Sequence, residues 1–223
     1  MNGVIGQLLP LALGIAISPV PIIAAILMLL SPKAKSNGVG FMLGWVVGVV
    51  VAVTVFTLLA GIIPHGSDQG SSPIAGIVEI VLGALLLLLA LRQWRGRPKP
   101  GEEPTLPKWM AGIDKLRMPM AIGLGFVLAA INPKNLLLAA SAGVTIGSAQ
   151  LGASDTVIVV AVFTLIAACT VLIPVIGYLV AAEKLRGPLD SLHGWLAREN
   201  AVIMTVLLLI IGVVVIGKGI GAL

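Results

Sequence analysis

The stretch Ala129-Ala-Ile-Asn-Pro-Lys-Asn-Leu-Leu-Leu-Ala-Ala140 sets a proline, a lysine and two asparagines inside a run otherwise apolar enough to lie in hydrocarbon. Its surroundings decide how it is read. The chain has 223 residues, of which 58% are hydrophobic and only 10% charged, with a mean hydropathy of +1.12; soluble domains carry about 25% charged residues. This composition excludes a soluble enzyme or a nucleic-acid-binding domain and implies an integral membrane protein. Several apolar runs reach the roughly 20 residues an α-helix needs to cross a ~30 Å hydrocarbon layer, so helices rather than barrel strands do the spanning.

Six spans are expected, at about Leu8 to Leu30, Gly38 to Ile63, Pro73 to Leu91, Pro119 to Gly143, Thr156 to Ala181 and Ala201 to Gly217. Met1 to Pro10 holds no Lys or Arg, unlike the basic region of a secretory signal, so the first apolar run is expected to stay attached as helix one. The single cysteine, Cys169, rules out an intrachain disulfide or dithiol chemistry. Charge orients the bundle. The connections after spans one, three and five hold Lys33, Lys35, the run Arg92 to Lys99, Lys108, Lys115, Arg117, Lys184, Arg186 and Arg198, and the other side only Lys218. Because Lys and Arg in short loops stay cytoplasmic, both termini are expected outside a plasma membrane. The +5 net charge is thereby explained by topology and lipid contact, with no nucleic-acid partner.

Two connections carry helical patterns of their own. After span three a Gly96-Arg-Pro-Lys-Pro-Gly-Glu-Glu-Pro linker leads to Trp109, Met110, Ile113 and Leu116 at helical spacing, and after span five come Leu185, Leu189, Leu192, Trp195 and Leu196. Both read as helices lying in the membrane interface, with His193 as an interfacial residue. His65 and Asp68 in the outer loop find no third ligand nearby, so no metal and no cofactor is expected.

An internal repeat organises the spans. Ala16-Ile-Ser-Pro-Val-Pro aligns with Ala130-Ile-Asn-Pro-Lys-Asn, and Val55-Phe-Thr-Leu-Leu-Ala answers Val162-Phe-Thr-Leu-Ile-Ala. The unit is three helices; three is odd, so the second copy is inverted, as in many secondary transporters. The expected division is 1–92 for the first three-helix repeat, 93–118 for a cytoplasmic linker with an interfacial helix, and 119–223 for the inverted repeat. Mid-span proline removes a backbone donor and clashes with the preceding turn, so helices one and four are expected to be broken. The freed carbonyls must then face protein or a wet cavity.

Lys134 lies roughly 15 residues from the inner end of its span, about 22 Å at 1.5 Å per residue, so snorkelling to the outer headgroups is barely within reach. Three hydrogen-bonding side chains, Asn132, Lys134 and Asn135, are costly at that depth unless they face one another or a cavity. Glu79, six residues after Pro73, is the only other ionisable residue well inside a span; it is placed at about the level of Lys134, and the sequence leaves open whether the two pair. The candidate substrate site is therefore Ser18, Pro19, Pro21, Asn132, Pro133, Lys134, Asn135 and Glu79. A cationic lysine suits a phosphate or carboxylate headgroup.

Pro107-Lys-Trp-Met-Ala-Gly-Ile-Asp, Ala130-Ile-Asn-Pro-Lys-Asn-Leu-Leu-Leu, Trp195-Leu-Ala-Arg-Glu-Asn and Ile211-Gly-Val-Val-Val-Ile-Gly-Lys-Gly resemble the GAP, or Sap, family of actinobacterial membrane proteins, named for glycopeptidolipid addressing, within the lysine-exporter superfamily. The resemblance covers nearly the whole chain and implies export, with a lipid or glycolipid of the envelope as cargo. Where the lysine-exporter branch commonly has Pro-Gly-Pro in helix one, this chain has Pro19-Val20-Pro21, and the valine fills a place where backbone could approach a small ligand. A small-solute exporter, for an amino acid for instance, is the alternative. A membrane-embedded enzyme has less behind it, since the spans lack histidine and paired carboxylates and the chain has no HExxH or GxSxG motif. No Walker loop is present either, so coupling is expected through an ion gradient or a partner. The expected partners are membrane lipids and an anionic amphipathic cargo, with a homodimer or an envelope-assembly partner as further options.

Overall fold

A computed structural model describes residues 1–62, 73–98 and 108–223. Every element among them is helical: α1 (Asn2–Ala16), α2 (Pro19–Leu30), α3 (Ala34–Gly61), α4 (Pro73–Arg95), a 3-10 helix (Lys108–Lys115), α5 (Met118–Ala130), α6 (Pro133–Ser148) and α7 (Ala153–Gly221). His65, Asp68, the end of the second expected span at Ile63 and the linker from Lys99 to Pro107 lie outside the described residues.

Three helices, α3, α4 and α7, are long and apolar enough to cross a membrane, and the count rises to five if each of two bent pairs is one span. The bent pairs are α1–α2, at 52°, and α5–α6, at 60°. Each begins its second helix with proline at the first position, where the missing N–H has no intrahelical partner to lose. Outward-facing residues such as Leu58, Leu88, Leu165, Ile173 and Val180 are apolar and exposed, while the buried set includes Lys134, Glu79 and Asn135. That is the reverse of a soluble protein and marks a membrane protein.

Glycines set the packing. Along α3 and α5, a Cβ on Gly40 would stand 2.9 Å from the Met118 carbonyl and one on Gly48 2.9 Å from that of Phe126. Both numbers rise by eight, so these helices run parallel. Between α4 and the end of α7, Gly76 meets Gly219 and Gly83 meets Gly212; one number rises as the other falls, so this pair is antiparallel. Backbones approach this closely only where side chains are absent, the usual basis of tight helix contact in lipid. α1 and α2 lean on α7, and α6 on α3. The main core among the described residues runs through the bundle with Phe41 and Trp45 stacked in it, and a smaller cluster joins Ala60, Ala75 and Val144.

Two expectations change here. The piece expected as an interfacial helix is a 3-10 helix packed on α2. Met110 and Ile113 are only 5% and 2% exposed, and Asn37 donates to the Leu116 carbonyl at 3.0 Å, so this apolar stripe is turned into protein, while Trp109 stays exposed. The segments expected as spans five and six both lie in α7, which is interrupted at Ala181 (φ −142°, ψ 53°). The fifth expected span thus ends at the break, but the following segment, with buried Leu189 and Leu196, continues as helix into the sixth. Pro174 and Pro188 are accommodated within helical turns on either side.

Candidate functional site

Breaking a helix releases carbonyls in a predictable order. In a continuous helix the Gly14 carbonyl would accept from the Ser18 N–H and that of Ala16 from the Val20 N–H. At the first break the Ser18 N–H turns to Ile15 instead, at 3.3 Å, and α2 restarts at Pro19. Both freed carbonyls are taken by side chains from other helices. The Lys134 ammonium donates to Gly14 at 2.7 Å, and the Thr170 hydroxyl to Ala16 at 2.6 Å. Ser18 is buried, and its hydroxyl makes no cap of α2; Pro19 and Pro21 are buried beside it.

At the second break the same need is met from within. The Asn132 side chain accepts from the Lys134 backbone N–H at 3.1 Å and so caps α6. The Asn135 amide donates to the Leu128 carbonyl at 2.9 Å, filling the place of the Asn132 N–H. Gly14 and Leu128 each stand four residues before the cap residue of their break, the same place in the aligned repeat. Each is satisfied by a side chain of α6. Asn132 and Asn135 therefore hold the backbone around Lys134 rather than its ammonium.

Lys134 is 4% exposed. An ammonium has three donors, and among the described residues its hydrogen-bond acceptor is the Gly14 carbonyl. The adjacent Asn135 Oδ1 is buried and, among the described residues, has no partner. Unfilled hydrogen-bonding capacity in hydrocarbon costs several kcal/mol per group, so this centre favours water or a polar ligand. Gly14 also lines a groove of about 630 Å³ between α1 and the last part of α7, walled by Leu9, Leu13, Ile17, Val206 and Ile210. The lysine thus stands behind the wall of an apolar groove, linked to it through one carbonyl.

Glu79 belongs to another centre. It is 7% exposed, with Oε1 3.3 Å from the Thr145 hydroxyl, and the Lys218 ammonium donates to that hydroxyl at 3.2 Å. Thr145 has one proton to give, and its shorter contact is the Ser141 carbonyl at 2.9 Å. The three side chains, from α4, α6 and α7, line a polar cavity of about 390 Å³ with Gln7 and Ser148. The pairing of Glu79 with Lys134 that the sequence left open is not found among the described residues, because Lys218, read from sequence only as the lone outer cation, lines the Glu79 cavity instead. Gly14, Thr170, Thr145 and Gln7 were not among the expected site residues. Nothing local marks them, since each is a small or neutral residue whose role depends on a contact distant in sequence.

Helix pairs that bend at proline, satisfy their freed carbonyls with polar side chains and enclose a buried lysine define an α-helical membrane protein with an interrupted, polar centre. The chain belongs to the Sap family: residues 8–221 match the family described as Sap, sulfolipid-1-addressing protein. The family expected from the sequence motifs is thereby established, with sulfolipid-1 rather than glycopeptidolipid in its description. No curated protein and no solved structure matches the chain.

Proposed function

We propose that the protein exports or translocates a lipid or glycolipid of the cell envelope, and that Lys134 engages the anionic part of its headgroup. The observation that carries this reading is the shared residue Gly14, which lines the apolar groove and accepts from the lysine. Acyl chains would occupy the groove; the headgroup would take over the ammonium from the Gly14 carbonyl. The family description, which concerns addressing of a sulfolipid, agrees with an anionic amphipathic cargo. The wider kinship with lysine exporters and an actinobacterial source belong to the same proposal.

Alternating access through an inverted repeat of six spans in the plasma membrane, with both termini outside, completes the mechanism. Its support is geometric. The two breaks share cap position, proline position and the site of the freed carbonyl. α3 runs parallel to the first half of the second broken pair, and α1 and α2 lean on α7, as a two-fold exchange of the halves would require. Energy would come from an ion gradient or a partner protein. Export of a small polar solute is the second reading, favoured by the Glu79–Lys218 cavity.

The test is transport of a fluorescent anionic lipid across liposomes holding purified Lys134→Met, beside its thermal stability. Methionine keeps most of the stem and removes the charge, so transport is expected to fall at least about tenfold, equivalent to ~1.4 kcal/mol, while the protein stays folded. Lys134→Arg should keep part of the activity. Wild-type transport by Lys134→Met would make the lysine a structural cap of α1.

A further inference from the structure

We propose that the cavity between the α2–α3 turn and the break in α7 binds the phosphate or sulfate ester of an anionic headgroup. This site is separate from Lys134 and does not rest on the reading given to that residue. The cavity, of about 530 Å³, is lined by Ser31, Lys33, Lys35, Ser36, Tyr178 and Arg186 among others.

Three cations from two elements converge here, and no carboxylate is among the lining residues. Gathering like charges without a counter-charge is unfavourable and raises the local potential for an anion. The backbone adds to it. α3 begins at Ala34 with no side-chain cap and no acidic residue in its first turn. The Ala34 and Asn37 amides are paired, with Ser31 and Lys33 carbonyls, whereas among the described residues the amides of Lys35 and Ser36 have no acceptor. Free N–H groups at the positive end of a 28-residue helix are a ready donor set for an oxyanion.

The opposite wall exists because α7 is interrupted. Tyr178 and Ala182 flank the non-helical Ala181, and one turn further Arg186 reaches the same cavity, where its planar guanidinium can hold two oxygens of one ester. Ser31 is not a donor here, because its hydroxyl is committed to the Met28 carbonyl at 2.8 Å. Ser36 and Tyr178 supply neutral donors. A tetrahedral ester with three acceptor oxygens matches this set; a zwitterionic headgroup would bring a cation against Lys33 and Lys35.

The experiment uses the full chain in phosphatidylcholine nanodiscs and measures equilibrium binding of dioctanoyl phosphatidic acid. Saturable binding is expected, weakened about tenfold or more in Lys33→Gln/Arg186→Gln, with an unchanged thermal midpoint because both side chains are exposed. Made in a Lys134→Met background, which lacks the other proposed anion centre, the Lys33→Gln/Arg186→Gln pair should weaken the remaining binding by the same factor, which separates the two sites. Arg92→Gln/Arg95→Gln, which removes equal charge elsewhere, should bind as wild type. Competition by glycerol phosphate would assign recognition to the ester alone, and its absence would assign it to the lipid. Equal weakening in the Arg92/Arg95 variant, or none in Lys33→Gln/Arg186→Gln, overturns the proposal.

Discussion

The two helix breaks look alike and are stabilised differently. Both restart at proline and bend by similar angles, 52° and 60°. The second is self-sufficient: Asn132 caps α6 and Asn135 fills the freed Leu128 carbonyl, all within eight residues of chain. The first has no such residues. Its freed carbonyls depend on Lys134 and Thr170, 120 and 154 positions away. A break that carries its own partners stays the same whatever the surrounding helices do. One that borrows them is tied to the positions of α6 and α7, and can be released when those helices move or when a ligand claims the lysine. In the proposed cycle the first break would serve as the hinge and the second as its fixed support.

The largest expected effect is on function, in Lys134→Met, where transport is lost while the fold persists, since methionine leaves no charge buried. Next comes the self-sufficient break. Asn135→Leu keeps the volume and strands the Leu128 carbonyl, so unfolding in detergent should show a loss of about 2 kcal/mol; an unchanged midpoint would mean that water already serves that carbonyl. Smaller still is Thr170→Val, a near-isosteric change at a half-buried residue. About 1 kcal/mol is expected, together with faster hydrogen exchange around Ser18 and none around Asn132. Equal exchange at both breaks would erase the distinction between them.

The breaks were legible in the sequence because their causes are local. Proline at the first helical position, with serine or asparagine before it, acts within a few residues of itself. The partners were not legible. Lys134 was recognisable as too deep and too polar for lipid, yet its acceptor is a glycine carbonyl with no side-chain signature, exposed only by the break in another helix. Glu79 was placed level with Lys134 by depth alone, with their pairing left open. Depth fixes one coordinate; the angular placement of helices fixes the other, and it brings Lys218 and Thr145 to the glutamate. Met110 and Ile113 show the same limit, for an amphipathic stripe reads identically whether lipid or α2 covers it.

A photoreactive residue placed at Val206, in the groove, and at Val213, exposed on the same helix outside it, reports directly on whether a lipid lies against the lysine's wall. In native membranes the account predicts that adducts at position 206 are enriched in one anionic lipid class over the bulk, and that Lys134→Met abolishes the enrichment. Adducts at position 213 should mirror the bulk composition in both proteins. The same bulk composition at both positions, unaffected by Lys134→Met, would contradict it.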